Sequence, residues 1–440
     1  MKRVLVLAYY FPPLGGAGVQ RTVKLLKHLP SLGYEATVVT GPGTAAAAET
    51  PPDGTLAREI PTGTVISRLT APPPPEPGRW RRRTIRWLGR PSPFERWWVN
   101  EAAAAGMREA AGHLDLIYAT MSPFETAEAA DRIASATGIP WVADLRDPWA
   151  LDEWTVYPTA LHRRRDEARM GTLLSRADAV VMNTKEAEAA VLQRFPGLAT
   201  RLFVVPNGWD KDDFAGTPPE RRDGAFRIVY AGYSHVESGR RHRHTRLARR
   251  ALGGSTPGLD VLCRSHVVLL EAIRRLQQED PALAAHLELH VAGASAPPDD
   301  ENPRVRYHGY LNHADAVALV RSADLLFLPM HDVRRGIRVR TVPGKTYEYL
   351  ASGRPILAAV PDGDARDLLA RLPNTTLCRP REVECMTKAL RAAIVRGPVS
   401  TAPPDDALDY ERRALASRLT SVFDRVVTTD AVPDARVASG

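Results

Sequence analysis

A lysine and a glutamate three residues apart, Lys345 and Glu348, form the pair in this sequence best suited to bind a phosphorylated ligand. Residues at this spacing lie on one face of an α-helix, about one turn apart. Gly353 predicts the end of that helix, and a short apolar strand over residues 356–360 follows it. A helix N-terminus beside an ammonium group can bind phosphates, and a carboxylate can accept hydrogen bonds from ribose hydroxyls. The pattern favours a nucleoside diphosphate site, and the alternative is a solvated Lys/Glu pair.

A glycine-rich turn provides a second candidate phosphate site. Gly15, Gly16 and Gly18 follow the first predicted strand, residues 4–8, and open a predicted helix. Glycine lets backbone amides approach a ligand at the positive end of a helix. The spacing differs from the G-x-G-x-x-G dinucleotide fingerprint, and no acidic residue ends the second predicted strand, which disfavours an oxidoreductase. A simple tight turn is the alternative.

Strands and helices alternate along the chain, which predicts parallel sheets with crossover helices. A chain of 440 residues is too long for one ordinary core, so two domains are expected. We place their boundary in the polar, proline-bearing segment that follows the Pro-Asn-Gly turn at 206–208. The predicted strands cover residues 4–8, 35–40, 114–119, 141–145, 179–183, 203–205, 227–232, 287–292, 305–308, 325–328 and 356–360.

Two segments interrupt this alternation and are predicted to be surface insertions. Residues 72–93 are rich in proline and arginine, and Trp80 and Trp87 lie among the arginines. Such a segment suits a helix on an anionic membrane surface, or else its tryptophans pack as a satellite core. Trp97 and Trp98 head a helical pattern and are expected to pack inside. Residues 240–258 carry an arginine and histidine cluster, which is interpreted as a solvated loop. The alternative is that His235, His242 and His244 near the arginines bind the acceptor or a phosphate.

Composition bounds the class of protein. The chain is 44% hydrophobic and 25% charged, which is typical of a soluble globular protein. Its net charge of +8 favours anionic partners, but no nucleic-acid-binding module is recognisable. Three cysteines in no metal-ligand spacing argue against a disulfide framework and for a reducing cytoplasm. Neither a secretory signal nor an apolar run of about 18 residues is seen. Arginine and alanine usage hints at an actinobacterial source.

Together these motifs resemble the GT-B glycosyltransferases of glycosyltransferase family 4, over nearly the whole chain. The resemblance rests on residues 9–22, Val205-Pro206-Asn207-Gly208-Trp209-Asp210 with Phe214, Ala231-Gly232, Leu270-Glu271-Ala272-Ile273, Gly309-Tyr310-Leu311 and residues 343–355. The segment Asp144-Leu145-Arg146-Asp147-Pro148-Trp149 is typical of bacterial polysaccharide-type members.

The resemblance implies two Rossmann-like domains with parallel sheets facing an interdomain cleft. Residues 1–208 would bind the acceptor and residues 209–404 the nucleotide sugar, while the helix in 405–440 would return to the first domain. Sugar transfer would retain the anomeric configuration and need no metal or other cofactor. The donor would be a nucleoside-diphosphate sugar, with UDP favoured. The residues expected to bind it are Gly15, Gly16, Gly232, Arg264, Lys345, Thr346, Glu348 and Arg340, with Arg240 as the alternative to Arg264.

Two departures from the family pattern concern the transferred sugar and the acceptor. Arg340 stands where many members have a glutamate eight positions before Glu348, and Arg146 stands where many have a histidine. Arg146 and Asp147, with Lys345, are therefore the candidate catalytic residues, Asp147 as base or orienter. An Asp-Arg pair that holds a loop is the alternative. Acceptor contacts are expected from Asp144, Ser122 and Trp87.

The expected partners are a nucleotide sugar and a hydroxyl-bearing acceptor, either a lipid-linked glycan or a natural-product scaffold. We expect a cytoplasmic monomer or homodimer, with contact to the anionic inner face of the membrane as a further option. A non-hydrolysing sugar-nucleotide epimerase and a non-catalytic sugar-nucleotide-binding protein are the alternative functions. Turnover of the donor without acceptor would favour the epimerase, whereas donor binding without transfer would favour the binding protein.

Overall fold

A computed structural model of the chain describes residues 1–44, 52–217, 224–233, 235–293, 302–399 and 403–430. The strands are β1 Lys2–Ala8, β2 Tyr34–Thr40, β3 Val65–Arg68, β4 Leu116–Met121, β5 Trp141–Leu145, β6 Ala179–Met182, β7 Leu202–Val204, β8 Phe226–Ala231, β9 Leu287–Ala292, β10 Val305–Gly309, β11 Leu325–Pro329, β12 Ile356–Ala359 and β13 Thr375–Cys378. The helices are α1 Ala17–His28, α2 Arg79–Trp87, α3 Pro93–Ala110, α4 Thr126–Thr137, α5 Ala160–Arg176, α6 Lys185–Arg194, α7 Val236–Ala251, α8 Val267–Glu279, α9 His313–Arg321, α10 Lys345–Ser352, α11 Asp364–Leu369, α12 Val383–Arg396 and α13 Arg412–Asp430.

The strands form two sheets in which neighbouring strands run parallel. The first sheet has the order β3-β2-β1-β4-β5-β6-β7 and the second the order β10-β9-β8-β11-β12-β13. The strand order reverses direction beside β1 in one sheet and beside β8 in the other. Ligands of such sheets bind outside the carboxyl ends of the strands at this reversal. The predicted fold class, two Rossmann-like parallel sheets, is confirmed.

Contacts divide the chain into two compact units. The first contains residues 1–151, 161–206 and 412–440, and the second contains residues 152–160 and 207–411. Residues 152–160 therefore pack with the second half of the chain, although the sequence assigned them to the first. The sequence gives no sign of this exchange, because the segment has no periodic pattern of its own.

Helices cover both faces of the first sheet, so its central strands are buried on both sides. Apolar side chains of α3, α4, α5 and α6 pack on one face. Those of α1 and α13 pack on the other face, where Phe423 is fully buried against Tyr34 and Tyr118. In the second sheet, α8 and α12 cover one face, and α10 packs on the opposite face. Because helices cover the faces of these parallel sheets, the carboxyl ends of the strands are where a ligand can reach the sheet. We call this end of the sheet its open edge.

The structure corrects the interpretation of residues 240–250 as a loop. They lie in α7, which begins at Val236 and ends at Ala251. Gly239 allows this helix to pack closely, because a Cβ atom there would lie 2.5 Å from the Cα atom of Leu262. Arginine and alanine have high helix propensity, so this segment forms a helix despite its many positive charges. Strands β3 and β13 were also missed, since each is a four-residue edge strand without a continuous buried run.

The cysteines differ from expectation as well. Cys378 and Cys385 form a disulfide with 5.8 Å between their Cα atoms, so the inference against a disulfide from the cysteine count is wrong for this pair. Cys263 is free and buried. Among the helices of the described ranges, none is long and apolar enough to cross a membrane.

Candidate functional site

Glycines end adjacent strands at the open edge of the second sheet. Gly232 directly follows β8 and Gly293 directly follows β9, and both have φ values that favour glycine, +134° and +84°. A Cβ atom on Gly293 would lie 2.7 Å from the carbonyl carbon of Gly232. Only glycine permits this close approach of the two backbones. The main chain at Gly232 and Gly293 therefore forms a surface that a ligand can contact, which we call the glycine floor.

Lys345 lies over this floor at the start of α10. A Cβ atom on Gly232 would lie 2.6 Å from Nζ of Lys345, and the ammonium is 4.0 Å from the ring centre of Tyr230. The hydroxyl of Tyr349 accepts a hydrogen bond of 3.0 Å from the backbone N–H of Ala231, which fixes α10 against the end of β8. Within the described residues, no hydrogen bond or ion pair holds the ammonium. Burial and the charge of Arg264 lower the pKa of Lys345 well below its ordinary value.

Arg264 is the second cation at this floor, as the first of the two alternatives from the sequence predicted. Its guanidinium lies 4.9 Å from the ring centre of Trp154 and has no carboxylate partner among the residues described. Trp154 belongs to the segment 152–160, so an aromatic face rather than an acid holds this cation. The alternative, Arg240, is exposed on α7. Two cations without acidic partners are thus brought together, which is an arrangement suited to a diphosphate.

Two histidines surround Trp154. The ring centre of His235 lies 4.8 Å from that of Trp154, and the ring centre of His331 lies 5.1 Å from that of Trp154. Burial, followed by the charges of Arg264 and Lys345, lowers the pKa of His235 to about 3. His235 is therefore a packed neutral ring and not part of a solvated loop, as the sequence suggested. His331 is fully buried and was missed, because no motif marks it.

These histidines predict a loss of stability in acid. An unfolded chain protonates His235 below its ordinary pKa of 6.5, whereas the folded chain resists protonation down to about 3. Stability therefore falls as the pH drops from 6.5, by at most about 1.4 kcal/mol per pH unit for each such proton. We expect urea denaturation between pH 7.5 and 4.5 to show a shallower pH slope for His235→Gln than for the native protein. Gln278→Ala, at an exposed site without a titratable group, should keep the native slope, and equal slopes in all three proteins would contradict the prediction.

Arg340, which replaces a glutamate of the family pattern, has a carboxylate beside it that comes from Glu153, far away in the sequence. Glu153 Oε1 accepts a hydrogen bond of 3.2 Å from the backbone N–H of Arg340, and its other oxygen is 3.8 Å from the guanidinium. The Glu153 side chain is 1% exposed, and His331 Nε2 lies 3.5 Å from it. The charge of Arg340 is thus balanced within its own unit by the segment 152–160.

Removing this carboxylate is expected to destabilise the second unit. Glu153→Ala removes the acceptor of the Arg340 backbone N–H and the carboxylate beside the His331 ring and the Arg340 guanidinium, at a cost of about 1–3 kcal/mol. Urea denaturation should show the lower unfolding midpoint. Glu271→Ala, an exposed glutamate on α8, is the matched control and should unfold as the native protein does. An unchanged midpoint in Glu153→Ala would show that the contact contributes nothing to stability.

Glu348 lies one turn after Lys345 and is partly exposed, as the ribose interpretation requires. Its carboxylate is 3.8 Å from Nδ1 of His313, whose Nε2 lies 2.9 Å from Asp213. His313, which no motif marks, is a buried neighbour of this carboxylate. Thr346 is fully buried, and its hydroxyl has no hydrogen-bond partner in the described part of the chain. We therefore drop the predicted ligand contact of the Thr346 side chain.

In the first unit, Asp144 proves to be a structural residue. It is fully buried, and Arg21 donates hydrogen bonds of 2.8 and 2.9 Å to its two oxygens. The hydroxyl of Tyr118 donates to the same carboxylate. Arg21 also donates to the backbone oxygens of residues 205 and 206. Because every polar group of this cluster is engaged, the predicted acceptor contact of Asp144 does not hold.

The neighbouring residues of the same loop divide into buried and accessible ones. Arg146 donates to the backbone oxygens of Met121 and Ser122, and its guanidinium lies against Gly18, where a Cβ atom would overlap it. Burial lowers the pKa of Arg146. Asp147 is exposed and remains available to an acceptor. The side chain of Ser122 is partly exposed next to these groups.

The glycine turn is open, as predicted. Gly16 is the N-cap of α1 with a φ of +104°, and a Cβ atom there would meet nothing within 4 Å. Gly15 precedes it and is buried. Thr184, in contrast, caps α6 by accepting a hydrogen bond of 3.1 Å from the backbone N–H of Ala187.

The tryptophans in and just after the arginine-rich segment 72–93 differ in their burial. Trp98 is fully buried, and its indole N–H donates to the hydroxyl of Thr126 at 3.0 Å, as expected for a core residue. Trp80 is 76% exposed and Trp87 is 57% exposed, and both lie on α2. None of the residues of α2 is buried. Trp87 contacts His162 of α5, with 5.6 Å between the ring centres.

Comparisons with known proteins agree with this geometry. Residues 15–208 match the family model described as a glycosyl transferase 4-like domain, and residues 263–395 match glycosyl transferases group 1. A D-inositol 3-phosphate glycosyltransferase from Geodermatophilus obscurus is 25% identical over 245 residues, which cover 51% of this chain and 47% of that protein. The chain thus spans about half the length of the curated relatives it matches.

Two solved structures illustrate the similarity of fold. A sucrose-phosphate synthase from Thermosynechococcus elongatus aligns with a TM-score of 0.64 at 12% identity, over 98% of this chain and 100% of that one. The UDP-GlcNAc 2-epimerase of Methanocaldococcus jannaschii aligns with a TM-score of 0.51 at 10% identity, over 97% and 100%. At these identities the alignments bear on the fold alone.

Proposed function

The chain belongs to the GT-B glycosyltransferases of the family 4-like type, and we propose that it transfers a sugar from a nucleoside-diphosphate sugar to a hydroxyl acceptor. The observation that carries the proposal is the pair of cations at the glycine floor of the second unit, Lys345 and Arg264, neither of which forms an ion pair within the described residues. A diphosphate supplies the anionic charge that this pair lacks.

Each group at the floor has a separate role in donor binding. Lys345 and Arg264 bind the diphosphate, and the N-terminus of α10 adds its positive dipole end. Glu348, one helical turn later, accepts hydrogen bonds from the ribose. As the bond to the sugar breaks, negative charge grows on the departing diphosphate, and fixed cations stabilise it where other enzymes use a metal ion. A retaining, metal-independent reaction is therefore part of the proposal, with UDP as the favoured nucleotide.

The acceptor would be handled by groups of the first unit. Asp147 is the exposed carboxylate there and is our candidate for orienting the acceptor hydroxyl or accepting its proton. Arg146 would position this loop through its hydrogen bonds to residues 121 and 122. A lipid-linked glycan and a natural-product scaffold both remain candidate acceptors. The phosphorylated acceptor class named for the inositol 3-phosphate relative is a third candidate.

The experiment that tests the proposal incubates the protein with a panel of UDP-, GDP- and dTDP-sugars and candidate acceptors, with and without EDTA. We expect one donor to be consumed only when acceptor is present, with no loss in EDTA and with retained configuration by proton NMR of the product. Epimerisation of a donor without acceptor would replace transfer by the epimerase alternative, which the fold also permits. Donor binding without any turnover would favour the non-catalytic alternative.

We also propose that α2 contacts an anionic membrane surface. The helix carries five arginines, Arg79, Arg81, Arg82, Arg83 and Arg86, and two exposed tryptophans. Because no residue of α2 is buried, packing inside the unit does not explain why the tryptophans are there. Cations with interfacial aromatics are typical of helices that lie at the headgroup level of a bilayer. A lipid-linked acceptor would be reached in this way from the cytoplasmic face.

The two tryptophans give a direct prediction. Trp80→Ala/Trp87→Ala is expected to reduce co-sedimentation with vesicles of phosphatidylglycerol and phosphatidylcholine by about tenfold, because each indole contributes buried apolar area. Pure phosphatidylcholine vesicles should bind weakly in every case. Val395→Ala/Leu408→Ala removes two exposed apolar side chains elsewhere, 73% and 60% exposed, and should bind like the native protein. If the tryptophan variant sediments as well as this control, α2 is not a membrane contact.

A further inference from the structure

A second cationic site lies in the second unit, on a cavity of about 500 Å³ that shares no lining residue with the donor floor. Two carboxylates, Asp332 and Glu382, line it. Five arginines also line it, namely Arg250, Arg334, Arg335, Arg379 and Arg381. Five positive and two negative groups leave a formal excess of three positive charges. Such a cavity has the size of an ordinary small-molecule site.

The inner arginines of the cavity are held in place by acids that lie behind them. Arg379 Nη1 is 2.9 Å from Asp362, and Arg381 Nη2 is 2.7 Å from the fully buried Asp260. The other terminal nitrogen of Arg379, Nη2, is buried and has no hydrogen-bond acceptor in the part of the chain that the structure describes, and its ion-pair partner, Oδ1 of Asp332, lies 3.9 Å away. A buried cationic donor without an acceptor is costly, and a ligand anion would satisfy it.

The two outer arginines, Arg250 and Arg334, differ from the inner ones in forming no ion pair within the described residues, whereas Arg335 is 3.3 Å from Glu382. The guanidinium groups of Arg250 and Arg334 form no ion pair or hydrogen bond with any residue described, and both side chains are exposed. The loop that carries Arg334 is fixed, because Asp332 and Asp260 exchange backbone hydrogen bonds of 2.9 and 3.1 Å. Gly258, with a φ of +77°, allows the contact, since a Cβ atom there would lie 2.4 Å from the backbone nitrogen of Arg334.

We propose that this cavity, the arginine cavity, binds a phosphate ester with two or more negative charges. The inner arginines are pre-positioned donors, and the outer pair can close on the phosphate from the rim. Arginine is suited to this task because its planar fork binds two phosphate oxygens at once. One wall is built by residues 250 and 255–259, within or next to the segment 240–258 that the transfer reaction does not explain. The proposal does not depend on the transfer activity.

The test measures binding of inorganic pyrophosphate and glucose 6-phosphate by isothermal titration calorimetry. Lys345→Ala is the parent protein, so that the donor floor contributes little. In this parent, Arg250→Ala/Arg334→Ala removes the outer pair of the arginine cavity. Arg274→Ala/Arg371→Ala removes two exposed arginines of the same unit that lie outside the cavity, and it makes the same change in net charge. A parallel arm uses pelleting with phosphatidic acid vesicles, because a lipid headgroup offers the same chemistry. In that arm every protein also carries Trp80→Ala/Trp87→Ala, so that α2 contributes little to vesicle binding.

We expect the outer-pair variant to bind at least tenfold more weakly than the parent and the control variant to bind like the parent. Loss in the calorimetric arm identifies a soluble ester, and loss confined to the vesicle arm identifies a headgroup. The proposal is overturned if the parent binds no probe in either arm, or if the two double variants bind equally. If the probes bind to the arginine cavity as expected but the native protein shows no sugar transfer, the phosphate-ester proposal holds and only the proposed function is wrong.

Discussion

Lys345→Ala is expected to lower kcat/KM for sugar transfer by well over tenfold, because it removes a charge-assisted contact worth about 1.5–3 kcal/mol. The structure sharpens this prediction. The ammonium lies directly over Gly232 and beside Arg264, and its lowered pKa reflects burial next to a like charge. An anionic diphosphate would offset the repulsion between the two cations, which is why we expect the contact to depend on the phosphates.

The measurement compares UDP with uridine by calorimetry, together with steady-state transfer rates. Lys345→Ala should weaken UDP binding strongly and uridine binding hardly at all. Lys388→Ala, at a 76% exposed lysine on α12, is the matched control. Gly232→Ala should act in the same direction, since its φ of +134° is strained for alanine and its Cβ atom would displace the lysine. Equal loss of UDP and uridine binding would remove Lys345 from the diphosphate site.

Glu348→Ala is the second variant with a large expected effect, a loss of kcat/KM well over tenfold. The carboxylate is partly exposed and lies 3.8 Å from His313, which leaves it free to accept hydrogen bonds from two ribose hydroxyls. Removing it leaves both hydroxyls without that acceptor in the bound complex. The effect should fall mainly on the KM for the donor, because the ribose is bound in the ground state as well as in the transition state.

A deoxy donor separates this role from a general loss of structure. The native protein should use a 2′-deoxy or 3′-deoxy nucleotide sugar less well than the normal donor, whereas Glu348→Ala should discriminate little between them. The coupling between the mutation and the missing hydroxyl is then the measure of the contact. Glu271→Ala should retain native discrimination. If Glu348→Ala still discriminates as the native protein does, the ribose assignment is wrong.

Local patterns predicted the sheets and the donor helix because their determinants lie close together in the sequence. The helix of Lys345 ends at Gly353 with a φ of +64°, as the glycine indicated. The long strands were recognised because parallel strands buried on both faces form continuous apolar runs. Edge strands β3 and β13 lack such runs, and their pairing depends on neighbours far away in the chain.

The surroundings of the charged residues could not be predicted in the same way. Asp144 and Asp147 stand in one motif, yet the first is sealed by Arg21 and Tyr118 and the second is exposed. A sequence motif gives the types of its residues and their spacing, but the burial of each depends on partners that come from distant elements. The same reason explains why His313 and His331 were not recognised as site residues.

The sequence by itself determined two parallel α/β sheets, a lysine and a glutamate on one turn of a helix, and open glycine turns, since these follow from backbone preference and periodicity. Tertiary structure alone decided that Trp154 supports Arg264 and that Glu153 neutralises Arg340. Both partners lie in residues 152–160, which join the second unit across more than 100 positions of sequence. Contacts of that range depend on how the chain packs, and no local propensity encodes them.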